Sequence, residues 1–294
     1  MNNYQIRYNE YLTFTERCLN EYLEQLNCNP ILKEGMSYSV NAGGKRIRPV
    51  MFFAMLDLLN VDYKKYKAFG CALEFIHCYS LIHDDLPAMD NDDFRRGKPS
   101  NHKVYGEGIA ILCGDALLNF AFEICADAVC DSYTFNAYKY LLKCAGACGM
   151  VDGQAYDLYC EKHPKEKFGK SNEELLSLIH ENKTGKLLTA PLVMAGYIAK
   201  NNNVEIFEKL GSFTGKLFQF TDDLLDVVGS FESMGKTIGK DAESGKFSAV
   251  SVYGIEGCKT HIESYYLEII KIIKKFDNNS FFYDFYSSLK NRIN

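Results

Sequence analysis

Apolar residues in this chain recur at intervals of three and four over long stretches, and that period fixes the class of fold it can adopt. Phe207, Leu210, Thr214, Leu217, Thr221 and Leu225 form one continuous stripe. Ile262, Tyr265, Ile269 and Ile273 form another, with Glu263, Glu268 and Lys271 on other faces. Ser171 followed by Glu174, just ahead of Leu175, Leu178 and Ile179, reads as a capping box that opens a helix. Only six prolines occur and none follows Pro191, so long uninterrupted helices are possible. Strand-type alternation is weak throughout. The pattern predicts an all-α domain of roughly ten or more helices.

The 294 residues contain no linker-like or low-complexity tract, which favours a single domain over residues 1–294. A net charge of -5 argues against non-specific nucleic-acid binding. The longest charge-free run, Leu187 to Ala199, is too short to span a bilayer. The N-terminus has no apolar segment following a basic one, so no signal peptide is expected. The eleven cysteines are odd in number and lack any CxxC spacing, and Cys71, Cys78, Cys113, Cys125 and Cys144 sit in apolar surroundings. Reduced core thiols in a cytoplasmic protein account for them better than disulfides or a zinc site.

Against this apolar background stand two acidic clusters. Asp222, Asp223 and Asp226 form one, and Asp222 and Asp226, four apart, share a helix face with Gln219. Asp84, Asp85 and Asp90 form the other. Asp84 and Asp90 would diverge on a regular helix, but Pro87 should break it at Leu86. Asp84 and Asp85 then close the helix and Asp90 folds back from the following turn, with His77 two turns below Asp84. Carboxylates among apolar residues need a counter-ion to stay charged. Several oxygens together suit magnesium, which also takes waters and substrate phosphates. Positive partners follow the same order. The stretch Gly43-Gly44-Lys45-Arg46-Ile47-Arg48 sets flexible backbone beside three basic groups, a candidate anion nest. Arg95 and Arg96 suit bidentate phosphate contacts. Lys183-Thr184-Gly185-Lys186, Lys236, Lys240 and Lys246 accompany the second cluster. Carboxylates facing a diphosphate would repel it by about 4 kcal/mol per unit pair at 4 Å and an effective dielectric of 20. Bridging cations reverse that sign. Asp92 and Asp93 read as a charged loop wall.

The ordered motifs GGKRIRP, HCYSLIHDDLPAMDNDDFRRG, NHKVYGE, GDALL, HENKTG, FQFTDDLLD and GKTIGKD run from Gly43 towards Gly254. Together they resemble the trans-isoprenyl diphosphate synthases, and most of all the bacterial members that make the fifteen-carbon farnesyl product. The resemblance implies a large antiparallel helical bundle around a deep central cavity, usually a homodimer. It implies head-to-tail condensation of isopentenyl diphosphate with the allylic dimethylallyl and geranyl diphosphates. Asp84, Asp85 and Asp90 would bind two magnesium ions, and Asp222 with Asp226 a third. Arg95, Lys183, Lys236 and Lys246 would help grip the allylic diphosphate. Lys45, Arg48, His77 and Arg96 would hold that of isopentenyl diphosphate. Thr184, Phe218 and Gln219 would line the reacting carbons and, with Lys183 and Asp222, make up the catalytic set. The leaving diphosphate would serve as base. Tyr79 and Ser80, five and four residues before Asp84, would limit chain growth.

Three departures from the family pattern stand out: Asp152 before Gly153, Thr221 before the second Asp pair, and Ser248-Ala249-Val250 after Lys246. Competing readings are a geranylgeranyl diphosphate synthase of the same family, a class I terpene cyclase, and a non-catalytic partner subunit. The Arg pair, the basic loop and the second acidic cluster oppose the cyclase. The completeness of both clusters opposes the inactive subunit.

Overall fold

A computed structural model describes residues 3–228, 247–276 and 280–293. Thirteen α-helices are present among them. The first four are α1 (Asn3–Gln25), α2 (Pro30–Val40), α3 (Ile47–Leu58) and α4 (Lys67–Asp84). A short hairpin, β1 (Phe94–Arg95) and β2 (Lys98–Pro99), separates these from α5 (Asn101–Tyr105), α6 (Glu107–Asp127), α7 (Ser132–Ala145) and α8 (Met150–Lys162). Then come α9 (Asn172–Ile179), α10 (Lys186–Ile198), α11 (Val204–Val228), α12 (Ala249–Ile273) and α13 (Ser280–Lys290). The helical period read from the sequence is therefore realised along nearly the whole described chain.

Helix α10 is the axis of the bundle. It packs against α3, α7 and α11, and Leu187 to Gly196 are all buried. That is why the longest charge-free run lies there: a helix surrounded on all sides has no polar face to show. The α11 stripe from Phe207 to Leu225 is buried at every one of its six positions. On α12, Ile262, Ile269 and Ile273 are buried, and Tyr265 packs partly buried beside them. One contiguous apolar core links side chains from α1 through α13.

Local signals set the element ends. Ser171 N–H donates to Glu174 Oε2 at 2.8 Å and Glu174 N–H to Ser171 Oγ at 3.2 Å, the reciprocal capping box expected at the start of α9. Helix α4 stops at Asp84, and Asp90 N–H donates to the Asp84 carbonyl at 2.9 Å. Pro87 thus folds the first acidic cluster back on itself as its position predicts. The hairpin is a feature that helical periodicity passes over. Arg96 (φ 54°) and Gly97 (φ 76°) make its two-residue turn, with both angles in the left-handed region that such turns require.

By length and composition α6 is apolar enough to cross a membrane, the one such helix among the described residues. A search for charge-free runs misses it because Asp115 interrupts it. Its Ala110, Cys113, Leu117, Ala121 and Cys125 are nevertheless buried in the core at three- and four-residue spacing, with α4 its main neighbour.

The basic loop departs from expectation in one respect. Arg46 does not join Lys45 and Arg48 in an anion nest. Its backbone is left-handed (φ 46°) and its side chain is buried. Nε lies 2.7 Å from Glu16, Nη1 lies 2.7 Å from Glu74, and Nη2 donates to the Val40 carbonyl. This ion pair pins the loop to α1, α2 and α4. Arg46→Leu leaves buried Glu74 with only the more distant Arg96, 3.9 Å away, and should cost about 3 kcal/mol in urea unfolding. The double variant with Glu74→Leu should recover part of that loss. Equal stability of the single variant and the parent would refute the role given to Arg46.

Candidate active site

The ends of α3, α4, α8 and α11 and the turn before α10 enclose a cavity of about 900 Å³. Both acidic clusters open onto it: Asp84 and Asp90 from one wall, Asp222, Asp223 and Asp226 from the other. Lys45, Arg48, His77, Tyr79, Ser80, Arg95, Arg96, Lys183, Thr184, Phe218 and Gln219 also line it. Lys236 and Lys246, expected beside the allylic diphosphate, lie outside the described residues, as does Lys240.

On the first wall, Gln154 Nε2 donates to Asp84 Oδ1 at 2.9 Å. Burial pushes the Asp84 carboxyl up to about 7, opposed by Lys183 and reinforced by Asp90. The shift is set first by burial, which the nearby Lys183 and Arg95 only partly offset. Asp85 is placed differently from its sequence neighbour. It is almost fully buried and does not line the cavity, because Arg95 Nε at 2.9 Å and Nη2 both donate to its Oδ1. Burial raises its pKa while Arg95 opposes the shift. Its geometry is that of an anchor for Arg95, a role that the sequence expectation of Asp85 as a metal ligand did not include. Arg95 also bridges to Asp92 at 3.2 Å, which gives Asp92 a partner that its reading as a plain loop wall did not foresee.

The opposite wall is built on a turn of π-helix, His180–Gly185, inserted between α9 and α10. Such wide turns are frequent at functional sites because they displace side chains from the regular helical surface. This one carries Lys183 and Thr184. Two helices press directly on it. A Cβ added at Gly153 of α8 would lie 2.0 Å from the Lys183 backbone nitrogen, and one at Gly215 of α11 would lie 2.7 Å from Gly185 Cα. Lys183 Nζ pairs with the buried Asp157 of α8. Asn182 Nδ2 donates to Asp152 at 2.8 Å, so the unusual Asp152 fastens α8 to the same turn.

The basic mouth combines loop, hairpin and C-terminus. Gly44 adopts φ 127°, and a Cβ there would meet the Arg96 guanidinium carbon at 2.9 Å, so only glycine lets Arg96 lie against the loop. Arg96 Nη1 donates to the Gly43 carbonyl. Arg48 Nε is buried with no hydrogen-bond partner among the described residues, a donor that an anion would satisfy. Burial, offset in part by Glu74, lowers the Arg48 pKa to about 10. Burial and then the adjacent arginines hold His77 well below its usual range, so it stands neutral as a donor or acceptor. Arg292, just past α13, reaches the same mouth. Its Nη1 lies 2.9 Å from Asp222 Oδ1, and its guanidinium carbon lies 5.2 Å from the Phe218 ring centroid.

Sequence reasoning passed over Gln154, Asp157, His180 and Arg292. The first two, three residues apart on α8, carried a weak signal of a shared polar face. Arg292, a lone basic residue near the end of the chain, carried none.

Whether this donor set suits magnesium can be tested on its chemistry. Among the described residues no three Asp, Glu, His or Cys side chains are grouped to hold an ion unaided. Magnesium keeps several waters and binds through one or two carboxylates plus phosphate oxygens, so paired carboxylates on each wall with guanidinium donors between them fit it.

A sequence model of the polyprenyl synthetase family matches residues 29–286. The chain is 41% identical over 265 residues to the farnesyl diphosphate synthase of Bacillus subtilis (strain 168), covering 88% of this chain and 87% of that one. It is 46% identical over 231 residues to the Micrococcus luteus farnesyl diphosphate synthase (78% and 77% covered). It is 41% identical over 254 residues to a chloroplastic geranylgeranyl pyrophosphate synthase of Capsicum annuum (84% and 67% covered). Among solved structures, a geranyltransferase from Legionella pneumophila superposes with a TM-score of 0.84 at 31% identity, covering 99% of both chains. With the fold, the motifs and relatives above 40% identity in agreement, the chain belongs to the polyprenyl synthetase family.

Proposed function

We propose that this chain is a farnesyl diphosphate synthase, condensing isopentenyl diphosphate with dimethylallyl and then geranyl diphosphate. The observation that carries the reading is the cavity of about 900 Å³ with carboxylates on opposed walls and an unsatisfied Arg48 Nε in the same lining. Magnesium held by Asp84 and Asp90 and by Asp222 and Asp226 would supply Lewis-acid neutralisation of the allylic leaving group. Arg95, kept in place by Asp85, and Lys183, kept in place by Asp157, add fixed positive charge where the leaving diphosphate accumulates negative charge. Lys45, Arg48 and Arg96 orient the second diphosphate, with neutral His77 beside them. Phe218, Gln219 and Thr184 face the carbons, where an aromatic ring and amide and hydroxyl dipoles stabilise an allylic cation without attacking it. The proton lost at the end goes to the released diphosphate, so no dedicated base is required of the protein.

The chain length of the product is inferred from Tyr79. It is 6% exposed, lines the cavity, and stands edge-on to His83 with ring centroids 5.7 Å apart. An aromatic floor braced by a second ring resists displacement by a growing tail, which supports the farnesyl reading over the geranylgeranyl one. We further propose one domain, a homodimer and a cytoplasmic location. The contiguous core supports the first. Exposed Ile111 and Leu112 on α6 and Phe135 on α7 support the second. Eleven unpaired thiols support the third.

The purified chain, incubated alone with magnesium and the two five-carbon diphosphates, should yield a fifteen-carbon diphosphate by mass spectrometry, and light scattering should find it dimeric. Product that appears only with a second polypeptide would overturn the reading.

Tyr79→Ala should lengthen the product by at least one five-carbon unit. An unchanged fifteen-carbon product would remove Tyr79 from that role.

The raised Asp84 pKa predicts a pH dependence. An acid whose folded-state pKa lies near 7 holds its proton more tightly folded than unfolded, so below pH 7 magnesium must displace that proton. Magnesium affinity, measured by calorimetry with inorganic diphosphate present, should rise by up to about tenfold per pH unit towards pH 7 and then level off. A flat profile from pH 5.5 to 8 would contradict it.

A further inference from the structure

We infer that Asp223, the middle carboxylate of the second acidic cluster, is a positioning residue that locks Gln219 and the Lys183–Thr184 turn into one unit. The assignment rests on the reading of the cavity given above. Asp222 and Asp223 are sequence neighbours, but about 100° of helix separates them. Asp222 is 35% exposed in its side chain, Asp223 only 11%.

Both Asp223 oxygens are engaged by protein donors. Oδ1 accepts from Gln219 Nε2 at 3.2 Å, one turn back on α11. Oδ2 accepts the Ala249 N–H at 2.6 Å and lies 3.3 Å from His180 Nε2. Ala249 is the first residue of α12, whose N-cap is Ser248, so the carboxylate also sits where a helix N-terminus favours negative charge. His180 opens the π-turn, three residues before Lys183. Its ring is held edge-on against Phe220 at 5.7 Å. Gly153 and Gly215 press on the same turn from two helices and leave it no slack. Asp223 therefore ties α11, α12 and the turn together at one point, with reacting-carbon contacts on two of the three. Asp223 borders the cavity as Asp222 and Asp226 do, but it is the less exposed of the Asp222–Asp223 pair and both of its oxygens are already committed to protein donors.

The test compares Asp223→Leu, Asp223→Asn and His180→Gln with the parent and with Asp222→Asn. Steady-state kinetics are taken on the folded fraction, and magnesium affinity by calorimetry with inorganic diphosphate. Asp223→Leu should lower kcat on the order of 100-fold, the penalty of a misplaced catalytic contact. Magnesium affinity should stay within about threefold of the parent, while Asp222→Asn weakens it well beyond that. Asp223→Leu combined with His180→Gln should lose no more than about threefold beyond Asp223→Leu alone, because the two act through one contact. If Asp223→Leu does not fold, His180→Gln carries the same comparison. Magnesium affinity that falls in Asp223→Leu as it does in Asp222→Asn would make Asp223 a ligand and overturn the proposal. So would an unchanged kcat with only a lower Tm. A parent chain that makes no product would sink the functional reading first, before any variant is measured.

Discussion

Everything in this structure depends on carboxylates kept inside an apolar bundle, close to one another and around a diphosphate-sized space. Desolvating such groups costs several kcal/mol each, and their mutual repulsion adds to it. The chain meets that cost by giving individual carboxylates a dedicated partner. Arg95 holds Asp85, Lys183 holds Asp157, His180 and Gln219 hold Asp223, and Arg292 lies against Asp222. Arg46 does the same for Glu74 beneath the mouth. Each pairing has a second effect, since it fixes a cation or a donor on the cavity wall before any substrate arrives. Electrostatic preorganisation and fold stability are in this way obtained from the same contacts.

Asp84 is the exception that makes the arrangement useful. Gln154 gives it one neutral donor, and burial beside Asp90 keeps its pKa near 7. Lys183 and Arg95 only partly offset its burial, so a bound cation has most to add here. A neighbouring pair of identical residues, Asp84 and Asp85, is thus divided by a 100° turn of helix into a responsive group and a fixed one. Asp222 and Asp223 repeat that division on the opposite wall, with Asp223 the fixed member.

The sequence made much of this legible. Helical period located the long elements, because a stripe such as Phe207 to Leu225 has no other way to be buried. Pro87 foretold the fold-back of Asp90, and Ser171 with Glu174 the opening of α9, since both act within a few residues. What stayed hidden was set by contacts between distant segments. Nothing local distinguishes Arg46 from Lys45 and Arg48, yet Glu16 and Glu74 draw Arg46 alone into the core. The π-turn follows from the backbone of α8 and α11 pressing on it at Gly153 and Gly215, which no pattern within HENKTG expresses. The hairpin is too short to show alternation, and Arg292 has no motif around it.

The three departures from the family pattern become intelligible at this level. Asp152 puts a side chain next to the close-packed Gly153, and Asn182 on the turn supplies its hydrogen-bond donor. Ser248 caps α12 through Ser251, which leaves the Ala249 N–H free to reach Asp223. Thr221 is fully buried on the core stripe of α11, facing away from the cavity that Asp222 lines. Two of the three substitutions therefore fall on contacts that brace the site, Asp152 between α8 and the π-turn and Ser248-Ala249 between α12 and Asp223, and the third falls outside the site. A chain can vary at such points provided both partners of a contact are suited to each other, because what the chemistry needs is the position of Lys183, Gln219 and the carboxylates. The identity of the residues that brace them is secondary to the fit of the brace.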